Sequence, residues 1–149
     1  MTTETTVKPK PTVKSAPKSA TRYVEAVGRR KTAIARVRAT EATKNTFKIN
    51  ERTLENYFGT QELRAIVSAP LDRDGVAVKF AVTVKVVGGG THAQAEAIRH
   101  GLSRIMVMED KEQKSELKKL GYIRRDPRKK ERKHFGLKKA RKASQWSKR

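Results

Sequence analysis

Cysteine is absent from all 149 residues, which excludes disulfides, thiol nucleophiles and cysteine-ligated zinc. Its absence is compatible with any redox compartment. Acidic residues are scarce: 15 Asp or Glu stand against 36 Lys or Arg, for a formal net charge of +21. Aromatic residues make up 5% of the chain and all hydrophobic residues 36%, a lean supply for a core. A large multidomain enzyme is excluded by length, since one domain usually takes roughly 100–150 residues. No run approaches the ~18 apolar residues of a membrane span, so integral membrane function and a membrane partner are not expected. The first 20 residues also lack the apolar stretch of a signal peptide. What the chain has instead is positive charge that something must neutralise, and nucleic acid is the usual partner.

That charge is unevenly spread. Residues 1–21 carry a net +3, residues 22–117 a net +5, and residues 118–149 a net +13. The middle could therefore form an ordinary small domain. The 1–21 segment holds Pro9, Pro11 and Pro17 and has no aromatic residue, Leu or Ile. It cannot bury enough apolar area to offset an ordering entropy of ~1–2 kcal/mol per residue, and it reads as a disordered extension. It also lacks the arginines typical of an organellar transit peptide.

Residues 22–121 read as a globular α+β domain. From Val76 to Val86 the even positions are Val76, Val78, Phe80, Val82, Val84 and Val86, a strict period of two that predicts a strand with one buried face. Tyr23–Arg30 and Thr32–Arg38 predict two further strands and Phe47–Ile49 a short fourth. Thr53–Ser68 has helical content split near Gly59 and stopped by Pro70. After Gly88-Gly89-Gly90, the residues Ala95, Ile98, Leu102 and Ile105 line one face of a helix. Asp110 and Gln113 resemble a capping box for a second helix, with Leu117 and Leu120 inward and Gly121 at its end. Residues 122–149 hold 13 basic and 2 acidic residues and no sustained apolar period. They read as an extended basic tail that orders on a polyanion.

Enzyme chemistry finds little support. His92 and His100 are eight apart and cannot share a metal as an i, i+4 pair would, so no metal or cofactor is expected. The acidic pairs Asp72/Asp74 and Glu109/Asp110 read as turn and cap residues. The triple glycine joins a strand to a helix, where free N–H groups favour anions. It lacks the Lys and Ser/Thr of a P-loop, and a tight turn with positive φ is the favoured reading. The basic clusters say more. Arg29, Arg30 and Lys31 sit where the first two strands join. Arg124, Arg125, Arg128, Lys129, Lys130, Arg132, Lys133, Lys138, Lys139, Arg141 and Lys142 follow one another along the tail. Such groups suit phosphate oxygens, and Tyr122, Phe135 and Trp146 could stack on bases or riboses.

The stretches AVGRRKTAIARV, FKINERTLENYF, VKVVGGGTHAQAEAIRHGLSRIM, LKKLGYIRRDPRKKERKHFGLKKARKA and QWSKR resemble the ninth family of small-subunit ribosomal proteins, S-nine, in its bacterial form. The resemblance covers roughly residues 22–149. Two features depart from it: the 1–21 extension, and Trp146 where Phe is expected. It implies a small four-stranded sheet with helices on one face, like the second domain of ribosomal protein S-five, followed by the long basic tail. It also implies a structural protein, not an enzyme, bound to 16S rRNA in the head of the small subunit beside neighbouring head proteins. The tail would reach the peptidyl-site tRNA, with Lys148 and Arg149 near its phosphates. The expected location is the ribosome, cytoplasmic or organellar. Two other readings stand beside this one. A basic DNA-associated architectural protein is separated from it by cosedimentation with small subunits after DNase treatment. A small phosphotransferase would need a Mg²⁺-binding carboxylate and a phosphate-pairing Lys near the glycines, and neither is evident.

Overall fold

A computed structural model describes residues 23–73, 76 and 78–148. Outside the described residues lie the 1–21 extension, the expected start of the domain at Arg22, Asp74, Ala77 of the alternating run, and Arg149. Five strands, β1 (Val24–Arg30), β2 (Ala33–Ala42), β3 (Thr46–Ile49), β4 (Arg52–Thr53) and β5 (Lys79–Val87), form one mixed sheet in the order β1-β2-β5-β3-β4. β5 runs antiparallel to β2 and parallel to β3. Four helices accompany them: α1 (Leu54–Tyr57), α2 (Gln61–Ser68), α3 (Thr91–Glu109) and α4 (Lys114–Lys119). Among the described residues no helix is long and apolar enough to cross a membrane.

The alternation expected of a half-buried sheet is present. Ala33, Ala35, Val37 and Ala39 of β2 and Phe80, Val82, Val84 and Val86 of β5 are buried, and α3 covers them with Ile98, Leu102 and Ile105. The shortage of large apolar residues is met by close approach. Gly28 of β1 lies so near α3 that a Cβ added there would stand 1.8 Å from the Ala97 carbonyl oxygen, and one on Gly101 would stand 2.6 Å from Val37 Cγ2. Small residues let strand and helix backbones meet with little side-chain volume between them.

β3 is held in register by an asparagine at each end. Asn45 Oδ1 accepts from the Phe80 N–H at 3.0 Å. Asn50, in the left-handed region at φ 44°, donates from Nδ2 to the Val86 carbonyl at 2.9 Å and accepts from the Val86 N–H at 3.0 Å. Its side-chain amide thereby stands in for a strand partner where β3 has ended. Arg64 fastens the α1–α2 turn by donating to the carbonyls of Phe58, Gly59 and Glu55.

Several expectations are corrected. The sheet has five strands, not four, because Arg52–Thr53 pairs with Lys48–Ile49 as a two-residue strand where helix was expected from Thr53. β5 begins at Lys79; Val76 is only partly buried, and Val78 is exposed. β2 runs on to Ala42 because β5 offers it partners as far as Lys79. Leu117 is fully buried but Leu120, the C-cap at which α4 has already ended, is exposed. Asp110 caps a turn through the Glu112 N–H and is not the N-cap of α4, which is Gln113. Gly121, at φ 74°, ends α4 as expected: its N–H bonds the Lys118 carbonyl and the Tyr122 N–H bonds the Leu117 carbonyl, closing the helix C-terminus.

Candidate nucleic-acid interface

The strand parity of β1 separates its two final arginines. Ala26 and Gly28 are buried against α3, and Arg30 continues that face, whereas Arg29 falls on the other and is exposed. Arg30 is accordingly committed within the protein. Its Nε donates to Glu96 of α3 at 2.7 Å, its Nη2 pairs with Asp126 at 3.1 Å, and its Nη1 donates to the Arg128 carbonyl at 2.6 Å. Only 13% of its side-chain surface remains exposed. One guanidinium thus joins the end of β1, the middle of α3 and the start of the tail. Lys31 follows in the β1–β2 turn at φ 50°, exposed beside Arg29.

A second bridge runs parallel to the first. His100 Nδ1 accepts from the Arg29 backbone N–H at 3.2 Å, so the neutral ring carries its proton on Nε2, which donates to the Ile123 carbonyl at 3.1 Å. Burial, above all, holds the His100 pKa below the ordinary histidine value, and the nearby Arg104 and Arg125 charges act in the same direction. Arg99, one residue earlier on α3, lies over the Tyr122 ring at 4.7 Å from its centroid. Tyr122 and Ile123 pack against the core, so the chain stays docked past Gly121. Asp126 is pulled down to about 2, first by the Arg128 guanidinium and backbone N–H that bond it, with the Arg30 charge assisting.

Between β1, α3 and this docked segment is a cavity of about 500 Å³ whose wall includes Arg99, His100, Tyr122, Arg124 and Arg128, with Glu96 and Asp126 beside them. Beyond it the chain carries no helix or strand among the described residues. Arg124, Arg125, Arg128, Lys129, Lys130, Arg132, Lys133, Lys138, Lys139, Arg141, Lys142 and Lys148 are all exposed. Arg128 bonds Asp126, and Arg141 bonds Glu131 at 2.8 Å, yet each keeps 85% of its side-chain surface exposed. Phe135 and Trp146 stand in solvent, open to stacking, whereas Tyr122 is half-buried under Arg99. The structure therefore brings Arg29 and Arg30 together with Arg124 and Arg128, with Lys31 exposed in the turn beside them, and sets the remaining tail cations apart on an extended segment.

Arg99, Arg104 and His100 were not signalled as site residues by the sequence. The available signal was the helical spacing Glu96, Arg99 and His100, which places three polar groups on one face of the helix. The glycine turn is explained sterically. Gly88 and Gly89 have φ of 74° and 69°, and a Cβ on them would meet the Thr32 carbonyl oxygen at 2.6 Å and Ala33 Cβ at 2.9 Å. They let the turn press against the β1–β2 connection.

Residues 28–149 match the family model described as ribosomal protein S9/S16. The match spans most of the chain, and the chain belongs to that family. It is a structural protein of the small ribosomal subunit, part of a ribonucleoprotein that binds rRNA and serves translation.

Proposed function

We propose that this ribosomal protein holds folded rRNA in the head of the small subunit, 16S rRNA in a bacterial ribosome, and extends its tail to the tRNA in the peptidyl site. Arg29, Lys31 and the exposed cations of 124–142 take rRNA phosphates, and Lys148 and Arg149 take phosphates of the tRNA. The observation that carries this reading is the placement of charge. Thirteen cations in residues 122–149 lie on a segment without a core of its own, anchored at its root by Arg30 and His100. Such a segment follows the path of its polyanion, while the anchor fixes where that path begins. Arg30 serves as the anchor and not as a phosphate contact, since two carboxylates already neutralise it.

Deleting Lys148 and Arg149 tests the tRNA contact. Charge-assisted contacts are worth roughly 1.5–3 kcal/mol each, but solvent screening weakens them here. Subunits carrying the truncated protein should assemble normally and bind peptidyl-site tRNA up to about tenfold more weakly. Equal tRNA binding at all salt concentrations would make the terminus an rRNA anchor only.

A further inference from the structure

The face of the sheet opposite α3 is uncovered and basic. Arg36 and Arg38 of β2, Lys48 of β3, and Thr83 and Lys85 of β5 are all exposed on it. In the strand register Arg36 stands directly across from Lys85, and Thr83 lies between Arg38 on one side and Lys48 on the other. Glu25 of β1 pairs with Arg36 at 2.8 Å and with Arg38 at 2.7 Å. Lys48 and Lys85 enter no ion pair among the described residues. One Glu25 carboxylate is shared by two guanidinium groups, and Lys85, directly across from Arg36, has no ion-pair partner among the described residues, so the face keeps an excess of positive charge. Lys48, Thr83 and Lys85 line a groove of about 620 Å³, with Val87 at one end and Glu51 also in its wall.

We infer that this open face is a second RNA-docking surface, which takes the sugar–phosphate backbone of an rRNA strand laid across β2, β5 and β3. The inference rests on the rRNA-binding reading above and concerns a surface separate from the tail. Guanidinium, ammonium and hydroxyl groups suit phosphate oxygens. β2, β3 and β5 place no aromatic ring on the face: Phe80 is buried in the core and Phe47 packs against it. At the β1 edge of this face the exposed Tyr23 ring lies under the Arg38 guanidinium, 4.9 Å from its centroid, so stacking is confined to that edge and the rest of the face reads backbone without regard to sequence. Ile34 and Val87 are paired in register and exposed at one end, an apolar step on which a ribose can rest. The cations occupy three strands and so span about 10 Å across the sheet as well as along it. An evenly charged polyanion engages that arrangement more fully than a single acidic side-chain row.

The test uses full-length protein and deproteinised small-subunit rRNA, with affinity measured against salt concentration. In Lys48→Gln/Lys85→Gln the slope of log affinity against log salt should fall by about 2, one for each lost phosphate contact. Lys48→Arg/Lys85→Arg should keep the wild-type slope. Both pairs of side chains are exposed, and equal melting temperatures would show that the fold is intact. A wild-type slope in the Gln variant, alongside a reduced slope in a tail variant such as Lys129→Gln/Lys130→Gln, overturns the inference and leaves the rRNA reading standing. Normal rRNA binding by the Gln variant with loss from assembled subunits also overturns it, and puts an acidic neighbouring protein on the face. If wild-type protein has no salt-dependent affinity for the rRNA, the underlying reading itself is wrong.

Discussion

Replacing Gly28 by Ala adds one methyl group where the structure leaves no room for it. The new Cβ would stand 1.8 Å from the Ala97 carbonyl oxygen, 2.5 Å from the Gly101 nitrogen and 3.0 Å from the Ala97 carbonyl carbon. Ordinary contact begins near 3.4 Å, so β1 and α3 would have to separate by about 1.6 Å. Neither side yields easily, because every atom met is backbone. α3 cannot recede without lifting Ile98, Leu102 and Ile105 off the sheet, and all three are fully buried. Overpacking usually costs 1–3 kcal/mol, and a clash with backbone on both sides belongs at or above the top of that range, about 3 kcal/mol. For a domain of this size each kcal/mol moves the melting point by about 4–8 °C, so a fall of about 12–24 °C is expected.

Thermal unfolding followed by circular dichroism at fixed salt measures this directly. Gly59→Ala is the matched control, since nothing lies within 4 Å of a Cβ there and it should change stability by no more than about 0.5 kcal/mol. Gly101→Ala should fall between the two. Its Cβ meets Val37 Cγ2 at 2.6 Å and the Gly28 nitrogen less severely at 3.1 Å, and Ala gains about 1 kcal/mol of helix propensity over Gly. If Gly28→Ala melts within about 2 °C of wild type, direct backbone contact between β1 and α3 is not what holds this domain together.

Arg30→Met should release the root of the tail by removing the bonds to Glu96, Asp126 and the Arg128 carbonyl. Partial exposure of the carboxylates limits the loss of stability to about 1–3 kcal/mol. Trypsin should then cut after Arg124 and Arg125 faster than in wild type while the sheet resists, and unchanged cleavage would deny Arg30 its anchoring role. His100 should make stability fall with acid. Its folded pKa is lowered, so above the unfolded value of about 6.5 both states are neutral and its contribution is complete; as pH drops below the unfolded value the unfolded state binds a proton that the folded state does not, and the contribution is lost progressively until the folded value is passed. Denaturant midpoints between about pH 7.5 and 5 should therefore fall less in His100→Gln than in wild type, and equal pH slopes in the two proteins would contradict the assigned neutral ring.

The elements that were legible in the sequence are those fixed by neighbours along the chain. β5 shows its buried face in Phe80, Val82, Val84 and Val86, and α3 shows its own in Ala95, Ile98, Leu102 and Ile105, because period and burial coincide there. Where an element is fixed by partners distant in the chain the pattern is weak. β4 is two residues long and exists because Lys48 and Ile49 pair with it. The reach of β2 to Ala42 depends on β5, 37 residues further on, as the Ala42–Lys79 pairing shows. Val78 keeps the alternation yet stays exposed, since the strand pairing with β2 begins only at Lys79. Asn45 and Asn50 belong to no apolar period, yet each bonds the backbone of β5 about 35 residues away.

The basic cluster shows most clearly why a charge count differs from a binding surface. Arg29, Arg30 and Lys31 are adjacent and chemically alike, and composition gives them one role. Parity divides them. Ala26 and Gly28 face the helix, so position 30 must as well, and an arginine turned toward a packed helix needs a carboxylate there. Glu96 supplies it from α3, and Asp126 adds a second from the tail. Once the structure shows which face of β1 meets α3, its parity makes Arg30 the residue of the three withheld from solvent. What it cannot predict is the identity of the partners, which lie 66 and 96 positions further along the chain and meet Arg30 only when the sheet, α3 and the tail root are assembled. The cations of this domain that stay exposed, and so open to an anion, include Arg29 and Lys31 at the turn and Lys48 and Lys85 on the open face.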